Sequence, residues 1–148
     1  MRKSTELEKE IKLKSNYSIY TIREMRLLDL LTFHSTSKLK KVDKWDQAKK
    51  SQYIESLLLG HPLTNFMIQG DYCNHAIIDG YQRLTSIKEY IKNELELIDL
   101  RMLNSLYGTK FQNLTSSRQK EFKAQKFNVV ILNKVIPDYI VNYIYNSI

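Results

Sequence analysis

The residues best suited by type and spacing to do chemistry form one run, Ala76-Ile77-Ile78-Asp79-Gly80-Tyr81-Gln82-Arg83-Leu84-Thr85-Ser86-Ile87. An apolar strand ends at an acid, a glycine makes the turn, and a helix begins. Such a junction suits anions, because N–H groups without intrahelical partners and the positive end of the dipole face outward at a helix N-terminus. Gly80 lets a ligand approach the backbone, and Arg83 offers a planar fork for phosphate oxygens. Asp79 has the chemistry to bind a metal ion beside those phosphates or to orient a water. The same spacing also fits a purely structural turn, in which Asp79 caps the helix and Arg83 pairs with Asp79.

A second cluster surrounds the single tryptophan. Lys38, Lys40, Lys41, Lys44, Lys49 and Lys50 stand against Asp43 and Asp46, six positive charges to two negative, with Trp45 among them. Phosphate contacts beside a stacking aromatic suit DNA; a solvated lysine loop with Trp45 tucked into the core fits the same residues. Arg118, Lys120, Lys123 and Lys126 extend the basic face along one helix. His34, His61 and His75 match no ligand spacing, and nothing beside Cys73 activates its thiol, so these read as surface or packing residues. Glu55, one residue off an apolar stripe, reads as a helix-surface glutamate.

Periodicity and turn residues indicate the elements that must position these groups. Residues 1–31 predict a helix, on the i+3 stripe of Ile22, Met25, Leu28 and Leu31 beside Ile19 and Leu30. His34 to Lys44 reads as an exposed basic loop. Asp43 or Asp46 caps the next helix, which carries Ala48, Ile54, Leu57 and Leu58 on its apolar face and stops at Gly60 and Pro62. Asn65 to Gln69 and Asn74 to Ile78 predict two short strands about a turn at Gly70-Asp71, followed by a helix with Leu84, Ile87 and Ile91 on one face. Leu95 to Leu100 is open between a strand and an irregular connection, and Asn104 to Gly108 reads as a turn. Ser116 and Gln119 have the spacing of a capping box, starting a basic helix through Lys126. Phe127 to Leu132 is the best strand run, and Pro137 opens a last helix carrying Ile140, Val141, Ile144, Tyr145 and Ile148. That helix stops on an apolar position, so either its end packs against a partner, a second copy included, or the chain is a shortened version of something longer.

A length of 148 residues and a mass of 17.6 kDa predict one domain, 1–148, with residues 1–37 as a helical N-terminal extension. With 43% hydrophobic and 26% charged residues, 4 Gly and 2 Pro, wholesale disorder and fibrous structure are excluded. No apolar run approaches the roughly 20 residues that cross a bilayer, and one cysteine allows no internal disulfide. The expectation is a cytoplasmic protein without membrane association, its core held by packing. The net charge of +7 and pI near 9.4 favour polyanionic partners, although abundant Lys, Asn, Ile and Tyr equally fit an AT-rich coding sequence.

The segment Ile78 to Ile87 resembles the Asp-Gly-Gln-Gln-Arg-Leu-Thr signature of the prokaryotic domain-of-unknown-function family 262. That family belongs to the ParB/sulfiredoxin-like superfamily and includes the GmrS-type part of modification-dependent (type IV) restriction systems. Ser51 to Leu63 is similar to the family's leucine-isoleucine-glutamate-serine segment with its glycine and proline, and Leu95 to Leu100 and Tyr107 to Leu114 resemble its downstream stretches. The likeness spans roughly Lys38 to Ile148. It implies an α+β fold of the ParB/sulfiredoxin-like kind, a small mixed sheet flanked by helices, and a nucleoside triphosphate with Mg²⁺ bound by Asp79, Gly80, Gln82, Arg83 and Lys41. Arg83 and backbone N–H groups would hold phosphates, Asp79 would position Mg²⁺ or water, and Gln82 would orient the nucleotide or the water. Glu55 falls within the family segment, which adds a salt bridge to Arg83 or a share in a metal site to its alternatives. The implied function is a nucleotide-binding module of an anti-phage, modified-DNA restriction system, working with a nuclease domain or subunit. The alternative is a noncatalytic DNA-binding or adaptor module using Lys38, Lys40, Lys41 and Lys44. Tyr81 stands at the family's first glutamine, and Lys40-Lys41 stand where members carry Gln-Arg ahead of a Trp-Asp, here Trp45-Asp46. NTP hydrolysis therefore stays open, and no nuclease signature lies within the chain.

Overall fold

The computed structural model describes residues 5–10, 20–32, 44–62, 65–71 and 74–147. Four strands, β1 (Tyr20–Arg26), β2 (Phe66–Asp71), β3 (Asn74–Asp79) and β4 (Lys126–Leu132), form one sheet in the order β1-β4-β2-β3. β4 runs antiparallel to β1 and parallel to β2, and β2 and β3 form an antiparallel pair, so the sheet is mixed. The helices are α1 (Leu27–Leu30), α2 (Gln47–Leu58), α3 (Tyr81–Ile91), α4 (Ser116–Lys123) and α5 (Asp138–Asn146), and residues 5–10 are also helical. The architecture is α+β, a small mixed sheet flanked by helices. Among the described residues, no helix is long and apolar enough to cross a membrane.

The side-chain alternation of β4 builds two cores. Phe127 and Val129 enter the larger one with Leu27, Ile54, Phe66 and Ile87, while Leu132 enters a smaller one with Ile78, Ile136 and Val141. Residues of α1 to α4 thus pack with the first face of the sheet and those of α5 with the second. Gln69, buried on β2, donates from Nε2 to the carbonyls of Asn133 and Ile136 at 3.0 and 3.1 Å and so ties down the connection from β4 to α5.

Of the helix expected over residues 1–31, residues 5–10 are helical, but β1 corrects the rest of the described stretch. Tyr20 pairs with Leu132 and Arg26 with Lys126, and a single helical turn follows from Leu27. Tyr20, Thr21 and Ile22 are good strand formers, and every β1 residue except Met25 is exposed. An edge strand exposed on both faces has no alternation to read, so the accidental i+3 spacing dominated. Only Leu27 and Leu30 are buried there, while Ile22 and Leu28 remain outside. Residues 1–4, 11–19 and His34 lie outside the described residues.

Asp46, rather than Asp43, is seen to cap α2, its Oδ1 accepting the Lys49 N–H at 2.8 Å; Asp43 lies outside the described residues. Gly60, at φ 70°, ends the helix, and the His61 N–H reaches back to the Ser56 carbonyl at 3.0 Å. The expected capping box at Ser116 and Gln119 does not form. Thr115 caps α4 by accepting the Arg118 N–H at 3.2 Å, and Gln119 donates to the Leu114 carbonyl at 3.0 Å. Thr and Ser are near-equivalent caps, so composition left the register open by one residue. The helix stops at Lys123 and not Lys126, because Lys126 already belongs to β4. Residues 95–100 resolve as an irregular connection, joined to Gly108 and Thr109 through Leu97.

Candidate functional site

The junction after β3 is built as the sequence suggests, with Asp79 closing the strand, Gly80 as the N-cap and α3 starting at Tyr81. Gly80 has φ 109°, a conformation that side chains resist, and is buried. An added Cβ would stand 2.9 Å from Phe66 Cε1 and closer still to Cδ1, so Phe66 fills the space beside the glycine. Gly80 thus serves close packing on the side of Phe66. No side chain caps the first turn of α3, so Asp79 does not act as the cap.

Arg83 lies one turn into α3. Its Nη2 donates to Asp79 Oδ2 at 3.0 Å, and Nη1 and Nη2 both lie 3.4 Å from the Asn65 carbonyl. Its guanidinium sits over the Phe66 ring, 4.9 Å from the centroid. The side chain of Arg83 is 11% exposed and that of Asp79 33%, so the pair lies at a rim with the acid outward. Gln82 turns elsewhere: its Oε1 accepts the backbone N–H of Trp45 at 3.1 Å, which fastens the entry to α2 onto the start of α3. The Trp45 ring meets Tyr53 edge-on at 5.8 Å, and the Lys49 ammonium lies 5.0 Å from the Trp45 ring centroid. Burial pushes the Tyr53 hydroxyl up to about 12, against the opposing pull of the Arg83 charge. Tyr81, at the departing position, packs against the larger core.

The family described as the GmrSD restriction endonuclease, N-terminal domain, matches this chain over residues 42–147. The chain belongs to that family. No curated protein and no solved structure matches it. As a GmrSD N-terminal domain, it is a module of a restriction system, and the matched span contains the junction, α2 and Trp45.

Lys38, Lys40, Lys41 and Cys73 lie outside the described residues, and Lys44 is exposed. Four of the other basic residues are held by partners. Lys50 Nζ meets both Glu89 oxygens at 2.9 and 3.0 Å, Arg118 meets Glu121 at 3.1 Å, Lys126 meets Glu24 at 3.7 Å, and the Lys123 ammonium lies 5.5 Å from the Phe111 ring centroid. Near the C-terminal end of α3 a cavity of about 390 Å³ opens between Lys50, Glu89, Glu94, Glu96 and Lys110, a lining of mixed sign. Among the described residues no group of three or more His, Cys, Asp or Glu could hold a metal. Asp79 is a partly exposed carboxylate with Arg83 as its ion-pair partner and is in no such cluster.

Glu55 corrects its expected place on the helix surface. It is 5% exposed, and its carboxylate accepts three backbone N–H groups: Arg101 on Oε1 at 3.1 Å, Met102 and Leu103 on Oε2 at 2.9 and 2.8 Å. Burial pushes this carboxyl up, but those hydrogen bonds together with the Arg101 charge outweigh it and hold the group below the usual range. Its carboxylate bonds the loop at 101–103, and the salt bridge of Arg83 goes to Asp79 instead. Sequence reasoning also missed Phe66 and the Asn65 carbonyl beneath Arg83. The one available signal was an acid set among apolar residues of α2.

Proposed function

We propose that this module binds a nucleoside triphosphate with Mg²⁺ at the β3–α3 junction and acts with a nuclease domain or subunit on DNA. The observation that supports this reading is the Arg83 guanidinium, positioned by Asp79, Asn65 and Phe66 at the start of a helix that no side chain caps. In this arrangement Asp79 takes the place of an anion for Arg83, and Arg83 that of a cation for Asp79. Nucleotide phosphates and Mg²⁺ would exchange both partners at once, phosphate for Asp79 on the guanidinium and metal for Arg83 on the carboxylate. The first N–H groups of α3 add partial positive charge toward the same anion. With its carbonyl oxygen committed to Trp45, Gln82 would keep its amide nitrogen as a donor for orienting the nucleotide or the water. Hydrolysis would use Asp79 to place Mg²⁺ and the attacking water. Lys41 would add charge at the phosphates, and Lys38, Lys40, Lys41 and Lys44 would meet DNA.

The test is a calorimetric titration of the purified protein with ATP, GTP and CTP in Mg²⁺, beside Arg83→Ala. Saturable binding that Arg83→Ala abolishes is the expected result, and hydrolysis is then assayed on the nucleotide that binds. A folded protein that binds none of the three overturns the reading in favour of a DNA-binding adaptor. Such an adaptor would lose DNA with Lys40→Glu and Lys41→Glu and show a steep salt dependence.

A further inference from the structure

We infer that Trp45 is the platform on which the base of the bound nucleotide stacks, an inference that rests on the nucleotide-binding reading above. Trp45 is half-buried and belongs to neither core cluster, so part of a large apolar ring stays outside the packed interior. Its backbone is fastened near the phosphate end, since the Trp45 main-chain N–H donates to the side chain of Gln82, the neighbour of Arg83. Its plane is held from the edge by Tyr53, a residue that packs into the larger core and lies within the field of Arg83. Over the ring sits the ammonium of Lys49, the tip of an exposed side chain. A ring face covered by a lysine tip rather than by the core is one that a flat base can take over, because both ligands use the same π surface. Base and phosphate would then be bound by one connected group of residues, Trp45 at the entry to α2 and Gln82 and Arg83 from α3, joined through the Trp45–Gln82 hydrogen bond.

The experiment uses the full chain and its single tryptophan as reporter. With Mg²⁺, ATP, GTP or CTP quenches Trp45 fluorescence on binding, whereas inorganic triphosphate, which has no base, binds without quenching. By calorimetry, Trp45→Ala weakens the nucleotide by about tenfold to a hundredfold and leaves triphosphate affinity unchanged, with Trp45→Phe between the two. The triphosphate titration also shows that each variant retains a folded site, and if Trp45→Ala does not fold, Trp45→Phe and the wild-type quench decide. Equal nucleotide affinity in wild type and variants overturns the stacking role while leaving the phosphate site standing. Binding of neither nucleotide nor triphosphate overturns the nucleotide reading itself. Quenching by a single-stranded oligonucleotide alone would assign Trp45 to DNA and overturn the inference.

Discussion

Two acids in this fold, Glu55 on α2 and Asp79 at the end of β3, use the same carboxylate in opposite ways. Glu55 is buried and accepts three consecutive backbone N–H groups, so it shapes the loop at 101–103. Asp79 is one third exposed and meets the side chain of Arg83 at 3.0 Å. A carboxylate that takes three backbone N–H groups of one loop is committed to holding that loop in place; one held at a rim by a side chain can exchange that partner. The difference separates an acid that keeps the fold from one that is available for chemistry, although sequence alone ranks both as candidates.

The largest effect expected from breaking this contrast is at Glu55. Glu55→Ala orphans three N–H groups in a buried site and should cost about 3 kcal/mol or more in urea unfolding, since each charged hydrogen bond is worth roughly 1.5–3 kcal/mol. The acid also carries a pH signature. Its folded-state pKa is depressed below the ordinary 4.5, so its stabilising contribution is fully present above that value and is lost as pH falls through the folded-state pKa. Glu55→Gln should remove that part of the acid sensitivity, and an unchanged acid limb would show that the carboxylate does not hold the loop.

Gly80 sets the rigid half of the junction against its exchangeable charges. Gly80→Ala combines a side chain at φ 109° with a clash against Phe66, and thermal denaturation should report a loss of about 1–3 kcal/mol. A neutral Gly80→Ala would mean that the turn relaxes freely, and the fixed placement of Arg83 would lose its basis.

The junction was legible because its chemistry is local. Asp79, Gly80 and Arg83 lie within five positions, and a glycine between an apolar run and a helical stripe announces the turn. The β2–β3 pair, α2, α3, β4 and α5 were legible for the same reason, through period and punctuation. What supports the site was not. Trp45 reaches Gln82 across 37 residues, and Glu55 reaches the loop N–H groups across 46 to 48, contacts that no spacing rule encodes. β1 failed differently: an exposed edge strand takes its pairing from β4, so its own pattern carries no record of burial.

The smallest expected effect on stability is the most informative about function. Asp79→Ala removes one member of an i,i+4 ion pair at a rim, and such pairs contribute about 0–1 kcal/mol, so unfolding should shift by less than that. Ligand binding should change in two opposed ways. Without Mg²⁺, inorganic triphosphate should bind the variant at least as tightly as wild type, because a negative charge beside Arg83 is gone. The gain in affinity that Mg²⁺ confers on the wild type should disappear, because the carboxylate that would hold the metal is gone with it. A loss of stability as large as that of Glu55→Ala would break the contrast and make Asp79 a second structural acid. A preserved Mg²⁺ effect would place the metal on the phosphates alone and reduce Asp79 to the partner of Arg83.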